Sequence, residues 1–253
     1  MKIAITGASR GIGRTIATTL AAPGRHLHLH ARRAESLAEV ASEAQQRGAE
    51  VTVHGAELSD KEQVRRLAEA FGRLDLLVNN AGVGGHEKYA WETSPEELEE
   101  TLAVNLLAPL ILTSAAISYA EDQGVRIVDL SSGSAVTDTE KSADYWISKT
   151  ALMRLGGCID KAGRERGVKI FEIAPGVVAT DMTAAMRAHD GRTEWTSATE
   201  IADIIEAVAT GELDALAGCH MRAGTDTLAE LRARAARGVG SEERRLRLTP
   251  WAD

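Results

Sequence analysis

Tyr145 and Lys149 stand four residues apart in the stretch YWISK, so a helix there would carry the phenol and the ammonium on one face. On a shared face the two groups can act at a common point, the phenol as proton donor or acceptor and the ammonium as a nearby charge. A free phenol has a pKa of about 10, and bringing it near 8 takes roughly 2.7 kcal/mol. A positive charge at about 4 Å in an effective dielectric near 20 supplies around 4 kcal/mol before desolvation, so a lysine is sufficient. Ser131 and Ser132 follow the run 125–130, Ser132 thirteen residues before the tyrosine. That run reads as a strand, and its C-terminal end is where open α/β sheets place ligands. A hydroxyl at that place can polarise a substrate oxygen.

A second group of residues could hold an anion. The chain begins with the short apolar run 2–5, and Gly7, Gly11 and Gly13 then punctuate the start of a helical pattern over 14–22. A strand feeding a glycine turn that opens a helix aims free backbone N–H groups and the positive end of a helix dipole at one spot, which suits a pyrophosphate. The spacing G-x-x-x-G-x-G differs from the commoner G-x-G-x-x-G. On spacing alone an ordinary glycine-rich βα turn is the alternative.

At 253 residues, with no linker or composition break and no internal repeat, the chain reads as one α/β domain. A formal net charge of −8 argues against nucleic acid or an anionic membrane as partner. No stretch approaches about eighteen consecutive apolar residues and no leader pattern precedes the first strand, so a cytoplasmic protein is expected. Cys158 and Cys219 lack metal-ligand or redox spacing and are expected to be buried thiols. His26, His28 and His30 alternate on one strand face and could chelate a metal, but with helices expected over both faces of the sheet neutral, satisfied histidines are the expectation, and no metal.

TGASRGIG after the first strand, NNAG at 79–82, Asn105, Ser132, YWISK at 145–149 and PGVVATDM from Pro175 come in a fixed order that resembles the short-chain dehydrogenase/reductases over residues 1–225. The resemblance implies a single doubly wound Rossmann domain over 1–253 with a seven-stranded parallel sheet; the Ala-, Met-, Arg- and His-rich composition of the 183–196 segment reads as a substrate lid, and the resemblance does not explain the C-terminal extension at 225–253. It implies an NADP(H)-dependent oxidoreductase acting on a carbonyl or alcohol, with Asn105, Ser132, Tyr145 and Lys149 as catalytic residues, Asn105 through a water held at its helical turn. The cofactor would meet Gly7, Ser9, Arg10, Gly11, Ile12 and Gly13 at its phosphates, and Tyr145 and Lys149 at the nicotinamide ribose. Glu57 and Leu58 follow the third strand, where the family usually has an aspartate for the adenine. Asn79, Ala81 and Gly82 would border the cofactor, and Pro175, Gly176, Val178 and Thr180 would hold the carboxamide. The family also implies a homodimer or homotetramer, through helices near 95–121 and 144–167.

NADP rather than NAD is expected from Arg32 and Arg33, which follow the second strand where the adenosine ribose would lie. A carboxylate there would favour NAD, whereas a guanidinium fork suits a 2′-phosphate and gives a preference of about ten- to a hundredfold. Two arginines solvating the next helix is the bland alternative. The remaining elements read as helices over 34–46, 94–121, from 144 and from 197, a capping box at 59–62, and strands at 26–31, 50–54, 74–78, 169–173 and 217–221. His86, Tyr89, Trp146, Met182, Met186 and Trp195 would give a largely apolar and aromatic substrate cleft. An NAD-dependent alcohol dehydrogenase of the same fold and a non-catalytic dinucleotide sensor are the competing readings, the latter disfavoured because only the glycine turn would then be needed.

Overall fold

The computed structural model describes residues 1–180, 183 and 191–248. Its seven strands are β1 (Lys2–Ile5), β2 (His26–Ala31), β3 (Glu50–Gly55), β4 (Leu76–Asn79), β5 (Val125–Leu130), β6 (Val168–Ala174) and β7 (His220–Arg222). They form one parallel sheet in the order β3-β2-β1-β4-β5-β6-β7. Strand order reverses between β1 and β4, and the crevice at such a point is where a doubly wound sheet receives its ligand.

Helices cover both faces, as the near-continuous apolar strands require. On one side α1 (Gly11–Leu20), α2 (Ala38–Gln46) and α7 (Ala198–Ala209) pack on Ile3, Ile5, Val78, Val128 and Phe171. On the other, α3 (Lys61–Phe71), α5 (Ala108–Ala120) and α6 (Ala143–Gly163) pack on Leu77, Ile127 and Ile170. α4 (Pro95–Leu102) starts in a Ser94–Glu97 capping box and reaches α5 through a π-helical turn, Ala103–Leu107. The run Pro95–Gln123 is long and apolar enough to cross a membrane by composition, but Ala108, Leu112, Ala116 and Ala120 of α5 are core residues packed on the sheet.

Several boundaries differ from those expected. The cap of α3 is Asp60, whose carboxylate accepts from the backbone N–H of Glu62 and Gln63, so Ser59 stays outside the helix. β4 starts at Leu76. β7 is only three residues long because Gly218, at φ 78°, turns the chain just before it. Cys158 is exposed, since the buried face of α6 follows Leu152, Gly156, Asp160 and Gly163 and passes it by, whereas Cys219 is buried.

The extension beyond residue 225 forms α8 (Leu228–Arg237) and then runs back along the edge of β7. His220 N donates to Arg244 O at 2.8 Å. Arg245 is half-buried, giving hydrogen bonds to Asp160 Oδ2 at 2.9 Å, Gly218 O at 3.1 Å and Ala217 O at 3.0 Å. The segment covers a strand edge that would otherwise offer unpaired backbone groups.

Candidate active site

The turn after β1 is folded onto itself. Gly7 and Gly11 have φ of 66° and 54°, in the left-handed region that favours glycine. A Cβ on Gly13 would lie 2.2 Å from Gly7 O and 2.5 Å from Asn80 Nδ2. α1 therefore begins against its own turn, with no side-chain cap at Arg10 and no acid in its first turn. Its dipole end is left for an anion, and the close-packed glycines let a diphosphate approach the backbone, so these residues fit a dinucleotide.

Three side chains brace the turn. Asn80 Nδ2 donates to Thr6 O at 2.8 Å and Gly7 O at 3.1 Å, and Thr6 Oγ1 accepts from the N–H groups of Asn80 and Ala81, each at 3.0 Å. His30 Nδ1 accepts from Gly7 N at 3.4 Å, which leaves the proton on Nε2 for Ala56 O at 3.0 Å. Burial pushes the His30 pKa down and favours this neutral tautomer. Thr180 comes up to the same turn, its Cγ2 3.3 Å from where a Gly11 Cβ would sit. Thr183 Oγ1 accepts from Thr180 N and donates to Val178 O at 2.6 Å, fixing the loop that Gly176 enters at φ 68° after the half-buried Pro175.

Ser9 and Ile12 are half-buried at the turn, and Arg10, Arg32 and Arg33 are exposed. Among the described residues no ion pair engages Arg32 or Arg33. Glu57 is half-buried and its Oε1 accepts from Ser59 N at 3.4 Å, while Leu58 is buried.

The second cluster lies at the end of β5. Lys149 is buried on α6 and donates from Nζ to Leu130 O at 2.8 Å; the same Nζ lies 5.8 Å from the centre of the Tyr145 ring. Tyr145 is half-buried in the first turn of α6, which the chain enters through Ser142 in a left-handed conformation at φ 61°. Ser132 caps the short helical turn Gly133–Val136; its Oγ accepts from Ser134 N at 3.1 Å and shares a hydrogen bond with Ser134 Oγ at 2.9 Å. Gly82 passes close by, 3.8 Å separating Lys149 Nζ from a Cβ placed there.

The asparagines divide the labour. Asn105 sits in the π-helical turn, and its amide is occupied by Val83 N, Val83 O and Ser148 Oγ at 2.9, 3.0 and 3.1 Å. It ties the loop after β4 to α6. Asn79 turns under the sheet instead, donating to Asp129 Oδ1 at 2.7 Å and Thr113 Oγ1 at 3.1 Å.

Asp144, which sequence reasoning treated only as a helix start, is buried beside Tyr145. It accepts from the backbone N and Nδ1 of His86 and from Thr101 Oγ1. Burial pushes its pKa up, yet the hydrogen bonds from His86 and Thr101 outweigh this and hold the carboxyl below its ordinary value. An acid on the inner face of a predicted helix was the available signal, since such a group must find donors.

A model of the short chain dehydrogenase family matches residues 1–191. The chain belongs to that family. Agropine synthesis reductase of Rhizobium rhizogenes is 35% identical over 185 residues, covering 72% of this chain and 43% of that protein. Among solved structures, the angucycline C-6 ketoreductase LanV with bound NADP is 28% identical with a TM-score of 0.80, over 87% of this chain and 93% of that one. A short chain dehydrogenase from Burkholderia cenocepacia in complex with NADP is also 28% identical, with a TM-score of 0.77 over 87% and 95% of the two chains. This short-chain dehydrogenase is thus an oxidoreductase acting between CH–OH and C=O groups with a nicotinamide dinucleotide.

Beside the catalytic candidate of the short-chain dehydrogenase, Trp146 stacks edge-on to Tyr145 at 5.7 Å and donates to Thr137 Oγ1. Tyr89 lies flat against the exposed Trp91 at 5.0 Å. Met182 and Met186 lie outside the described residues, as does the rest of 184–190. A separate cleft of about 530 Å³, bordered by Trp195, Thr196, Asp203 and Asp226, is lined by neither Ser132, Tyr145 nor Lys149.

Proposed function

We propose that this short-chain dehydrogenase transfers hydride between NADP(H) and a small-molecule carbonyl or alcohol, with Tyr145 as general acid and base. The observation that carries the reading is Lys149 Nζ, buried on the last carbonyl of β5 and 5.8 Å from the Tyr145 ring, at the strand end that also bears Ser132. When bound, reduced nicotinamide supplies the hydride. In the reductive direction Tyr145 gives its proton to the developing alkoxide, and Ser132 Oγ donates a hydrogen bond to the same oxygen. Lys149 stabilises the phenolate left behind and binds ribose hydroxyls through its remaining N–H bonds. Asn105 and Asp144 keep the 83–86 loop against α6, so the phenol holds its direction. Gly7, Gly11, Gly13 and the N-terminus of α1 hold the diphosphate.

NADP is preferred in this reading because Arg32 and Arg33 stand exposed beyond β2 with no ion pair among the described residues, and because the two relatives above were solved with NADP. The apolar residues Leu110 and Tyr119 of α5 and Ile147 of α6 are exposed, which supports a homodimer or homotetramer; a cytoplasmic location completes the reading.

Tyr145→Phe is expected to abolish turnover on a panel of carbonyls while NADPH affinity, read by fluorescence titration, stays within about threefold of wild type. Substantial remaining activity would remove Tyr145 from the mechanism. Arg32→Asp is expected to lower the NADP-to-NAD ratio of kcat/KM by about ten- to a hundredfold. An unchanged ratio would take Arg32 out of the cofactor site.

A further inference from the structure

Under α6, a row of polar side chains crosses the sheet from the last residue of β4 to the first of β7. The register sets Asn79 beside Asp129, Asp129 beside Glu172 and Glu172 beside His220. Two residues earlier on the first three strands the same face is apolar, with Leu77, Ile127 and Ile170. All four polar residues are buried, none more than 4% exposed. Neighbouring strands are about 4.8 Å apart, and two carboxylates at such spacing away from water do not both ionise.

Their partners separate the two acids. Asp129 Oδ1 accepts from Asn79 Nδ2 at 2.7 Å. Neither oxygen of Glu172 has a hydrogen-bond partner among the described residues; Ser131 Oγ is near enough to weigh on its ionisation without ordinary hydrogen-bond geometry. Gly156 of α6 closes the other side, since a Cβ there would stand 2.3 Å from Glu172 Oε1. On β7, both ring nitrogens of His220 are unpartnered, and burial with the charges of Arg244 and Arg222 pushes its pKa down to about 4, so it is neutral. From α6 the charge of Lys149 acts on both acids. Burial pushes Asp129 up to about 6 against the Asn79 hydrogen bond and Lys149, and burial with the charge of Asp129 pushes Glu172 well above the usual carboxylate range.

We propose that Asp129 and Glu172 hold one proton between them behind Lys149, Glu172 as the neutral acid and Asp129 as the lysine's counter-charge, and that this pair sets how much of the lysine's field reaches Tyr145. Both residues act through Lys149 and touch no substrate, so they are positioning residues. The inference rests on the Tyr145–Lys149 reading above. With Asp129 ionised, part of the ammonium's charge is compensated inside the protein. Once Asp129 takes up a proton, the full charge faces the phenol.

Two measurements on the full-length enzyme test this. Infrared difference spectroscopy of wild type against Glu172→Gln at neutral pH is expected to show the carbonyl stretch of a protonated carboxylic acid, lost in the variant. No such band overturns the proposal, and so does a Glu172→Gln protein that fails to fold, because an amide should replace a neutral acid without loss. In the pH profile of kcat at saturating NADPH, Asp129→Asn is expected to move the alkaline limb to lower pH by about one unit, since Lys149 then lacks the Asp129 counter-charge while burial keeps Glu172 neutral. An unmoved limb overturns the functional half even where the infrared band is present. Tyr145→Phe with persisting turnover would defeat the underlying mechanism alone, and the infrared result would stand apart from it.

Discussion

The two polar clusters at the C-terminal edge of the sheet are built on opposite terms. At the turn after β1, Thr6, Asn80 and His30 each find partners, and their hydrogen bonds close on backbone atoms of the turn itself. On the row from β4 to β7, among the described residues, Glu172 finds none, and His220 has two unpartnered ring nitrogens. The first arrangement gives a fixed shape to backbone that must receive an anion. The second gives adjustable charge, because unpartnered groups in a low dielectric respond strongly to one proton. Lys149 joins them, lying near Gly82 of the first region while its field covers the acids of the second.

The sharpest break of this contrast is a methyl group added to each side. At Gly13 it meets a backbone oxygen, Gly7 O at 2.2 Å, which cannot move without unwinding the turn. Gly13→Ala is expected to cost about 3 kcal/mol or more of stability and at least a hundredfold in NADPH affinity, read by thermal melting and titration calorimetry. At Gly156 the same methyl meets a side chain, Glu172 Oε1 at 2.3 Å. Gly156→Ala is expected to cost about 2 kcal/mol, and little when Glu172→Ala is also present, because the added methyl then enters space the carboxyl has left. Additive costs in the double variant would mean that the two positions do not meet in solution.

Much of this was legible in the chain. The glycine turn could be read because tight turns restrict residue type, and Tyr145 and Lys149 because helical period places them together. Short runs in the strand pattern marked where the strands lie, while the seven-stranded parallel sheet was implied by the family resemblance. Less was visible where a residue's role depends on what crosses to it from another strand. Asp129 and Glu172 are forty-three positions apart and become neighbours only through strand register. Asn79 and Asn80 look equivalent in sequence, yet alternation along the chain sends one under the sheet and the other to the turn. The cap at Asp60 rather than Ser59 and the exposed Cys158 turned on a shift of one residue or a fraction of a helical turn, below what periodicity resolves.

A smaller effect separates the histidines of β2 and β3 from the carboxyl row, because the two respond to acid with opposite signs. His28 Nδ1 lies 3.1 Å from His54 Nε2, and its ring is 4.4 Å from that of His26. Burial first, then the charges of His26 and His54, push the His28 pKa down to about 4. An unfolded histidine titrates near 6.5, so the stability His28 contributes is complete above that pH and is lost as pH falls towards 4. Asp129 runs the other way: raised to about 6, it favours the folded state increasingly as pH falls through that value. Between pH 7 and 5 the His28 term is about 1 to 2 kcal/mol; the lowered His30, His54 and His220 add to it, and the raised Asp129 and Glu172 oppose it. His28→Gln should take out its share of this response, so the variant's melting temperature should fall by less than that of wild type over this range. Parallel curves for the two proteins would show that the histidine row does not carry the acid response and would erase this part of the contrast.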